Sequence, residues 1–366
     1  MFIKRIFLLL CIMFVMMHTG CNQQPEQDSK LQPPASASPA PQLDIQVSKA
    51  TSQLTAWIVY WDTQSVVSEI EQVTHALSAL YFFEAYYNAD MLPVVPDQLS
   101  DHYEEIKAAF HSHTFHYYLT VVNDWQDESG AFSLKDTALL QQLFTSENAM
   151  DAHAENLIEL AIVNGYDGLE IDYEALRNDI QLWEKYARFL HILWEKAQET
   201  GLKLRIVLEP GAPFDQIAFP AGPEYAVMCY NYHGTHNGPG PKANPAFLKD
   251  IIQRSAVLPG ETTYALATGG FDWDAESEVQ SLTEKMAIAL QQEKNATAIR
   301  DEDSQCLTFS YIDEDGERHE VWYADRTTLS CWIEIILAQA DSNVALWRLG
   351  GNVDLARAIS ALKQPE

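Results

Sequence analysis

The chain has 366 residues, 47% hydrophobic and 20% charged, enough to bury a large core without a partner. Acids outnumber bases 52 to 23 and the formal net charge is −29, which argues against nucleic acid and anionic membrane surfaces as binding partners. Neutral and cationic substrates stay open, and the 9 Trp, 16 Tyr and 15 Phe leave room for stacking on sugar rings, though core packing accounts for most of them.

Taken from the N-terminus, Lys4 and Arg5 precede an apolar run from Ile6 to Met17. That run is short for a bilayer span, which needs about 20 residues. His18-Thr19-Gly20-Cys21 follows and resembles a bacterial lipoprotein signal. Residues 1–20 are therefore expected to be removed and Cys21 to carry lipid, leaving the protein on a membrane and facing the cell wall or periplasm. His18 departs from the usual aliphatic residue, and ordinary secretion or an uncleaved anchor are the alternatives. Residues 21–50 are rich in Gln, Pro, Ser and Ala and cannot build a core. They read as a tether spanning about 30 Å as a coil. A domain is expected over residues 51–366.

From Leu54 onward, apolar strands alternate with helical stretches. The predicted strands are Leu54–Tyr60, His75–Phe83, His116–Val122, Gly168–Tyr173, Lys203–Leu208, Tyr225–Tyr230, Thr263–Ala267 and Val344–Trp347. Helical periodicity covers Glu155–Val163 and Gln181–Glu199, among others. Strand–helix alternation implies a parallel sheet, and eight units point to a closed (β/α)8 TIM barrel of the α/β class. There is no glycine-rich phosphate loop after the first strand, which counts against a nucleotide fold. The interval between Trp273 and Val321 is too long for a plain connection. It reads as a helix over Glu276–Gln292, then a hairpin of Cys306–Tyr311 and Arg318–Tyr323 around a turn at Asp313–Gly316. Residues 274–320 are thus a small α+β insertion in the seventh βα connection, walling one side of a cleft.

Asp167-Gly-Leu-Glu170-Ile-Asp172-Tyr-Glu174 is the most informative segment. Alternation along a strand sends Glu170, Asp172 and Glu174 to one face and Leu169, Ile171 and Tyr173 to the other. Same-face neighbours lie roughly 6.6 Å apart, so the acids should titrate together, and such coupling can keep a proton on one of them near neutral pH. A general acid needs that. The ordinary alternative is a solvated edge strand, which the apolar flanks oppose. Barrel sites form at the C-terminal ends of the strands. That rule selects Glu84, Asn123, Asp124, Glu174, Glu209, Tyr230 to His233, and Trp347 to Leu349. The Gly- and Pro-rich loop 234–241 suits a mouth. Cys229, Cys306 and Cys331 lack zinc spacing, so no metal or other cofactor is expected. Cys306 and Cys331 are the pair that export would allow to bond, but free thiols are the ordinary reading of an odd set.

These residues resemble glycoside hydrolase family 18, the chitinase-like barrels, whose signature reads D-x-x-D-x-D-x-E. Asp167, Asp172 and Glu174 match it, Met228-Cys-Tyr230-Asn231 is similar to the family's strand-six segment, Ala345–Gly350 to its strand-eight tryptophan motif, and Thr74–Leu77 to its strand-two start. Gly165–Gly168, Gly270–Trp273 and Val321–Asp325 resemble the spore-cortex and germination branch, whose members cleave at N-acetylglucosamine in peptidoglycan. The resemblance implies a retaining, substrate-assisted hydrolase, outside the two-carboxylate scheme. Glu174 would donate the proton, Asp172 would hold the substrate's acetamido N–H, Tyr230 would orient the acetamido oxygen, and Trp347 would floor the sugar. It also implies supporting roles for Glu170 and Asn231 in the catalytic set, and substrate contacts at Asp167, Met228, Tyr232 and Trp61. Glu170 and Asn231 each replace an Asp of the pattern. Tyr232 and Trp273 have packing as their ordinary explanation. A β-N-acetylglucosaminidase on peptidoglycan or chitin-like oligomers, acting as a monomer, is the leading expectation. A chitinase-like lectin without turnover and an endo-acting enzyme on protein-linked glycans are the alternatives.

Overall fold

The computed structural model describes residues 52–274 and 278–362. The expected signal (1–20), the lipid site Cys21 and the tether lie outside the described residues.

The barrel strands are β1 (Leu54–Val59), β2 (Leu77–Tyr87), β3 (His116–Gln126), β4 (Gly168–Asp172), β5 (Lys203–Leu208), β6 (Glu224–Met228), β7 (Thr262–Ala267) and β8 (Asn343–Trp347). Each pairs in parallel with the next, and β8 pairs in parallel with β1, with Leu54 opposite Val344. The ring is therefore closed, as the strand–helix alternation predicts. Two strands run past the mouth beyond their expected ends. β2 continues to pair with Pro93–Val94, and β3 with Phe132–Ser133, both antiparallel.

Period-2 alternation sorts the barrel residues. Leu169, Ile171 and Tyr173 of the acidic segment join the apolar layer between strands and helices. Trp57, Tyr81, Tyr118, Val207 and Met228 fill the ring itself. Gly168 opens β4 on the inward phase, and a Cβ there would meet the Tyr118 ring at 2.3 Å, so only glycine fits. The helix Ile180–Thr200 covers β4 with Leu182, Tyr186, Phe189, Leu190 and Leu193 buried. Asp179 caps its start by accepting from the Leu182 N–H, and Gly201, at φ 73°, ends it in the left-handed conformation. Residues 209–223, between β5 and β6, form no helix.

Between β7 and the helix Arg326–Gln339 stands an antiparallel sheet of five strands among the described residues. It takes in residues 269–324, a little more than the expected 274–320. The expected hairpin is present as Leu307–Ile312 against Arg318–Ala324. The expected helix over Glu276–Gln292 is corrected. Val279–Leu282 is a strand paired with Gly269–Trp273, and the helix is Glu284–Glu293. Thr283 starts it by accepting from the Met286 N–H at 3.2 Å. The pairing edge offered by Gly269–Trp273 thus overrides helical periodicity upstream of that cap. Cys229, Cys306 and Cys331 are free thiols, so the export-permitted pairing of Cys306 with Cys331 is absent.

One carboxylate ties the helix after β1 to the segment that follows β8. Glu69, buried on the helix Val66–Val73, accepts from the N–H groups of Gly350 and Asn352 at 2.8 and 2.9 Å, from the Asn352 amide at 2.6 Å and from the Ser65 hydroxyl at 2.7 Å.

Candidate active site

Glu170 and Asp172 of β4 point into the ring and Glu174 follows on the same phase, and the three reach different environments. Glu170 is fully buried and accepts from Trp57 Nε1 at 2.6 Å and Thr120 Oγ1 at 2.7 Å. It also pairs with Arg205 Nε. Arg205, its register partner on β5, is fully buried between the Trp57 and Tyr81 rings, 4.7 and 3.1 Å from their centroids. Its Nη1 bonds Thr55 Oγ1 at 3.0 Å. Glu170 is therefore held in a buried ion pair beneath the site, behind Asp172, whose carboxyl its charge pushes up.

Asp172 comes next along the same face. It is 4% exposed, and its Oδ1 has no hydrogen-bond partner among the described residues. Burial pushes this carboxyl well above its ordinary value, and the Glu174 and Glu170 charges push the same way. An acceptor oxygen left open at this depth is costly unless a ligand donor completes it.

Glu174 lies just beyond the strand end, at the mouth. Asn123 grips its backbone twice: its amide donates to the Glu174 carbonyl at 3.1 Å and its side-chain oxygen accepts from the Glu174 N–H at 2.9 Å. The Glu174 carboxylate takes a hydrogen bond from Lys135 Nζ at 2.5 Å and contacts the Glu209 carboxyl. Glu209 accepts from the Ala175 N–H at 2.9 Å. Its carboxyl is raised by burial first and by Glu174 second. Asp124 accepts from the Lys135 N–H at 2.7 Å, which fixes the loop that carries the lysine. Glu84, Asp124, Glu174 and Glu209, four acids selected by the strand-end rule, thus gather around one ammonium.

Glu84 shows how tight that gathering is. Its carboxyl is pushed up to about 8, by burial first and then by Asp124 and Glu174, against the pull of Lys135. The ordinary value is 4.5. A carboxyl pKa raised in the folded state means the fold keeps a proton that the unfolded chain releases. At and below about pH 4.5 the effect is absent. Stability falls as pH rises from there through 8, then levels off. The loss is on the order of a few kcal/mol, at roughly 1.4 kcal/mol per unit. Glu84→Gln should flatten this limb. Melting temperature followed from pH 4.5 to 9 in both proteins checks it, and parallel curves would rule it out.

Tyr230 is buried two residues past β6, and its hydroxyl has no hydrogen-bond partner among the described residues. Burial, then Asp172 and Glu174, hold it as a neutral phenol. Trp347 ends β8 half-buried, its ring edge-on to Trp57 at 5.8 Å and Phe83 at 4.9 Å. Trp61, 52% exposed, leans on Phe83 at 5.9 Å and extends the aromatic surface. Met228 is buried below Tyr230 in the ring. Tyr232 is exposed against Phe247, with ring centroids 4.9 Å apart. Glu174, Glu209, Met228, Tyr230, Tyr232 and Lys135 share one cleft of about 520 Å³. Asn231, exposed and at φ 61°, borders this cleft and a second one beside Trp347.

Asp167 does not join them. It precedes β4 at the N-terminal end of the ring, opposite the mouth, where it accepts from the Tyr117 N–H at 2.9 Å. It staples β3 to β4, and the expected substrate contact is withdrawn. Sequence reasoning also missed Lys135 and Arg205. Arg205 had a faint signal, a basic residue mid-strand with apolar neighbours. Lys135 had none.

The fold is that of the chitinase-like (β/α)8 barrels. It matches a chitinase from Chromobacterium violaceum with a TM-score of 0.69 at 18% identity, covering 84% of this chain and 98% of that one. It matches the Bacillus cereus spore cortex-lytic enzyme SleL with a TM-score of 0.68 at 18% identity, covering 85% and 74%. By sequence, the chain is 22% identical over 247 residues to the uncharacterized glycosylase YvbX of Bacillus subtilis, covering 63% of this chain and 70% of that protein. It is 24% identical over 242 residues to the cortical fragment-lytic enzyme of Bacillus anthracis, covering 61% of this chain and only 55% of that protein. No family profile matches the chain.

Proposed function

We propose that this protein is a glycoside hydrolase that cleaves β-1,4 bonds next to N-acetylglucosamine, in peptidoglycan or chitin-like oligomers, with retention of configuration. The observation that carries the reading is the pair formed by the open Oδ1 of Asp172 and the unpartnered hydroxyl of Tyr230, beneath Glu174 and beside Trp347. A substrate acetamido group has one N–H donor and one carbonyl acceptor, which complement the open carboxyl oxygen of Asp172 and the phenol of Tyr230. Held so, its oxygen would attack the anomeric carbon while Glu174 protonates the leaving oxygen. Orientation of an internal nucleophile supplies several kcal/mol of the barrier. The glycosylase and cortex-lytic names of the sequence relatives support the same class of reaction.

The test is release of reducing ends from N-acetylglucosamine oligomers and from purified peptidoglycan, with the anomer of the first product read by NMR. A β product supports retention, and an α product or no product overturns the reading. One contact favours a second reading, a carbohydrate-binding protein without turnover. Lys135 already grips the carboxylate that must deliver the proton. Binding of oligomers with no cleavage would select it.

The N-terminal motif supports a further part of the proposal, export and lipid attachment at Cys21. Palmitate labelling of the whole chain in a bacterial host should be lost in Cys21→Ser, with the protein released from the membrane fraction. Equal labelling of both forms would refute it.

A further inference from the structure

A second pocket, of about 310 Å³, lies on the far side of Asn231, between the Trp347 exit and the insertion. Its lining includes Lys242, Arg348, His236, Thr268, Ser281 and Phe271, and no carboxylate. That is unusual in a chain with 52 acids against 23 bases. Lys242 is the key group. It is 9% exposed, and its Nζ donates to the Thr268 carbonyl at 3.2 Å and sits 4.8 Å from the Phe271 ring centroid. No Asp or Glu lies within ion-pair distance of it among the described residues. The nearby Cys306 thiol, pushed up to about 12 by burial, is neutral and supplies no counter-charge. Arg348 has its own partner, Asp62 at 2.8 Å; burial first and the Arg348 charge second push the Lys242 amine down to about 8. A buried ammonium facing a cavity without a counter-ion is uncommon, because burying an unpaired charge is costly.

We infer that this pocket is a carboxylate subsite, that Lys242 is the counter-ion, and that the sugar it takes carries an acid, as the lactyl ether of muramic acid does. The inference rests on the glycan-hydrolase reading and narrows it from neutral chitin-like chains to acid-bearing amino-sugar chains. Asn231, Thr235 and His236 line both this pocket and the Glu174 cleft, so a chain crossing Asn231 would reach both. Lys242 is tied into the wall through its carbonyl, which accepts from the Tyr232 N–H at 2.8 Å. Burial and the hydrogen bond from Nζ to the Thr268 carbonyl hold the ammonium in place. An ammonium held this way gives a charge-assisted hydrogen bond to an incoming carboxylate.

The test uses the full chain carrying Glu174→Gln, so that nothing is turned over, and calorimetry with three probes. These are the β-1,4-linked disaccharide of N-acetylglucosamine and N-acetylmuramic acid, its methyl ester, and an N-acetylglucosamine tetramer. The free acid should bind about tenfold more tightly than the ester. Adding Lys242→Met should erase that difference, and Lys242→Arg should keep most of it. The acid–ester comparison in the Glu174→Gln chain does not depend on any change at Lys242, so misfolding of a Lys242 variant does not rescue the idea. Equal binding of acid and ester alongside binding of the tetramer would overturn the carboxylate subsite and leave the hydrolase reading standing. Binding of none of the three would overturn both.

Discussion

Glu174→Gln should lower turnover of an N-acetylglucosamine oligomer by about 10²–10⁴-fold, the usual worth of a positioned general acid, while oligomer binding changes little. The amide has the same size and keeps the backbone clamp from Asn123, which holds main-chain atoms only. It loses the dissociable proton and the charge that Lys135 grips. The Glu209 carboxyl, raised by burial first and by the Glu174 charge second, packs against it. Initial rates and single-site calorimetry on both proteins check the expectation. A Gln variant that keeps a tenth of the turnover would remove Glu174 from the donor role.

The second large effect lies deeper. Arg205→Met should destabilise the fold by about 3–5 kcal/mol, because it leaves Glu170 as a buried charge with only Trp57 and Thr120 as donors. Removing both charges together, with Glu170→Gln and Arg205→Met, should recover part of the loss, since an ion pair replaced by neutral groups of similar size is often tolerated. Urea unfolding of the single and double variants reads both numbers. A single variant within about 1 kcal/mol of the parent would show that the pair is not what holds the ring interior.

The ring and its inward acids were legible because period-2 alternation and helical periodicity are local signals, and every barrel strand carries one. The same parity argument separates Asp167 from Glu170, Asp172 and Glu174. Asp167 is off their phase, and the resemblance, which counts motif letters and not strand faces, hid this. The start of the insertion helix was misjudged because Val279–Leu282 finds a pairing edge in Gly269–Trp273, a contact no window of sequence contains. Lys135 was invisible for a related reason. It reaches Glu174 only because Phe132–Ser133 folds back on Trp125–Gln126, which no periodicity encodes. The Lys242 pocket likewise joins residues from the mouth loop, the insertion and the β8 exit.

The Glu69 clasp has a consequence for the order of events during synthesis. Its partners Gly350 and Asn352 are separated from it by more than 280 positions along the chain. A nascent polypeptide halted just before Asn352 carries all eight barrel strands but lacks two of the donors that the Glu69 carboxylate accepts from. The clasp therefore cannot form until synthesis has passed Asn352, and removing the residues from Asn352 onward should lower the melting temperature without touching any ring strand.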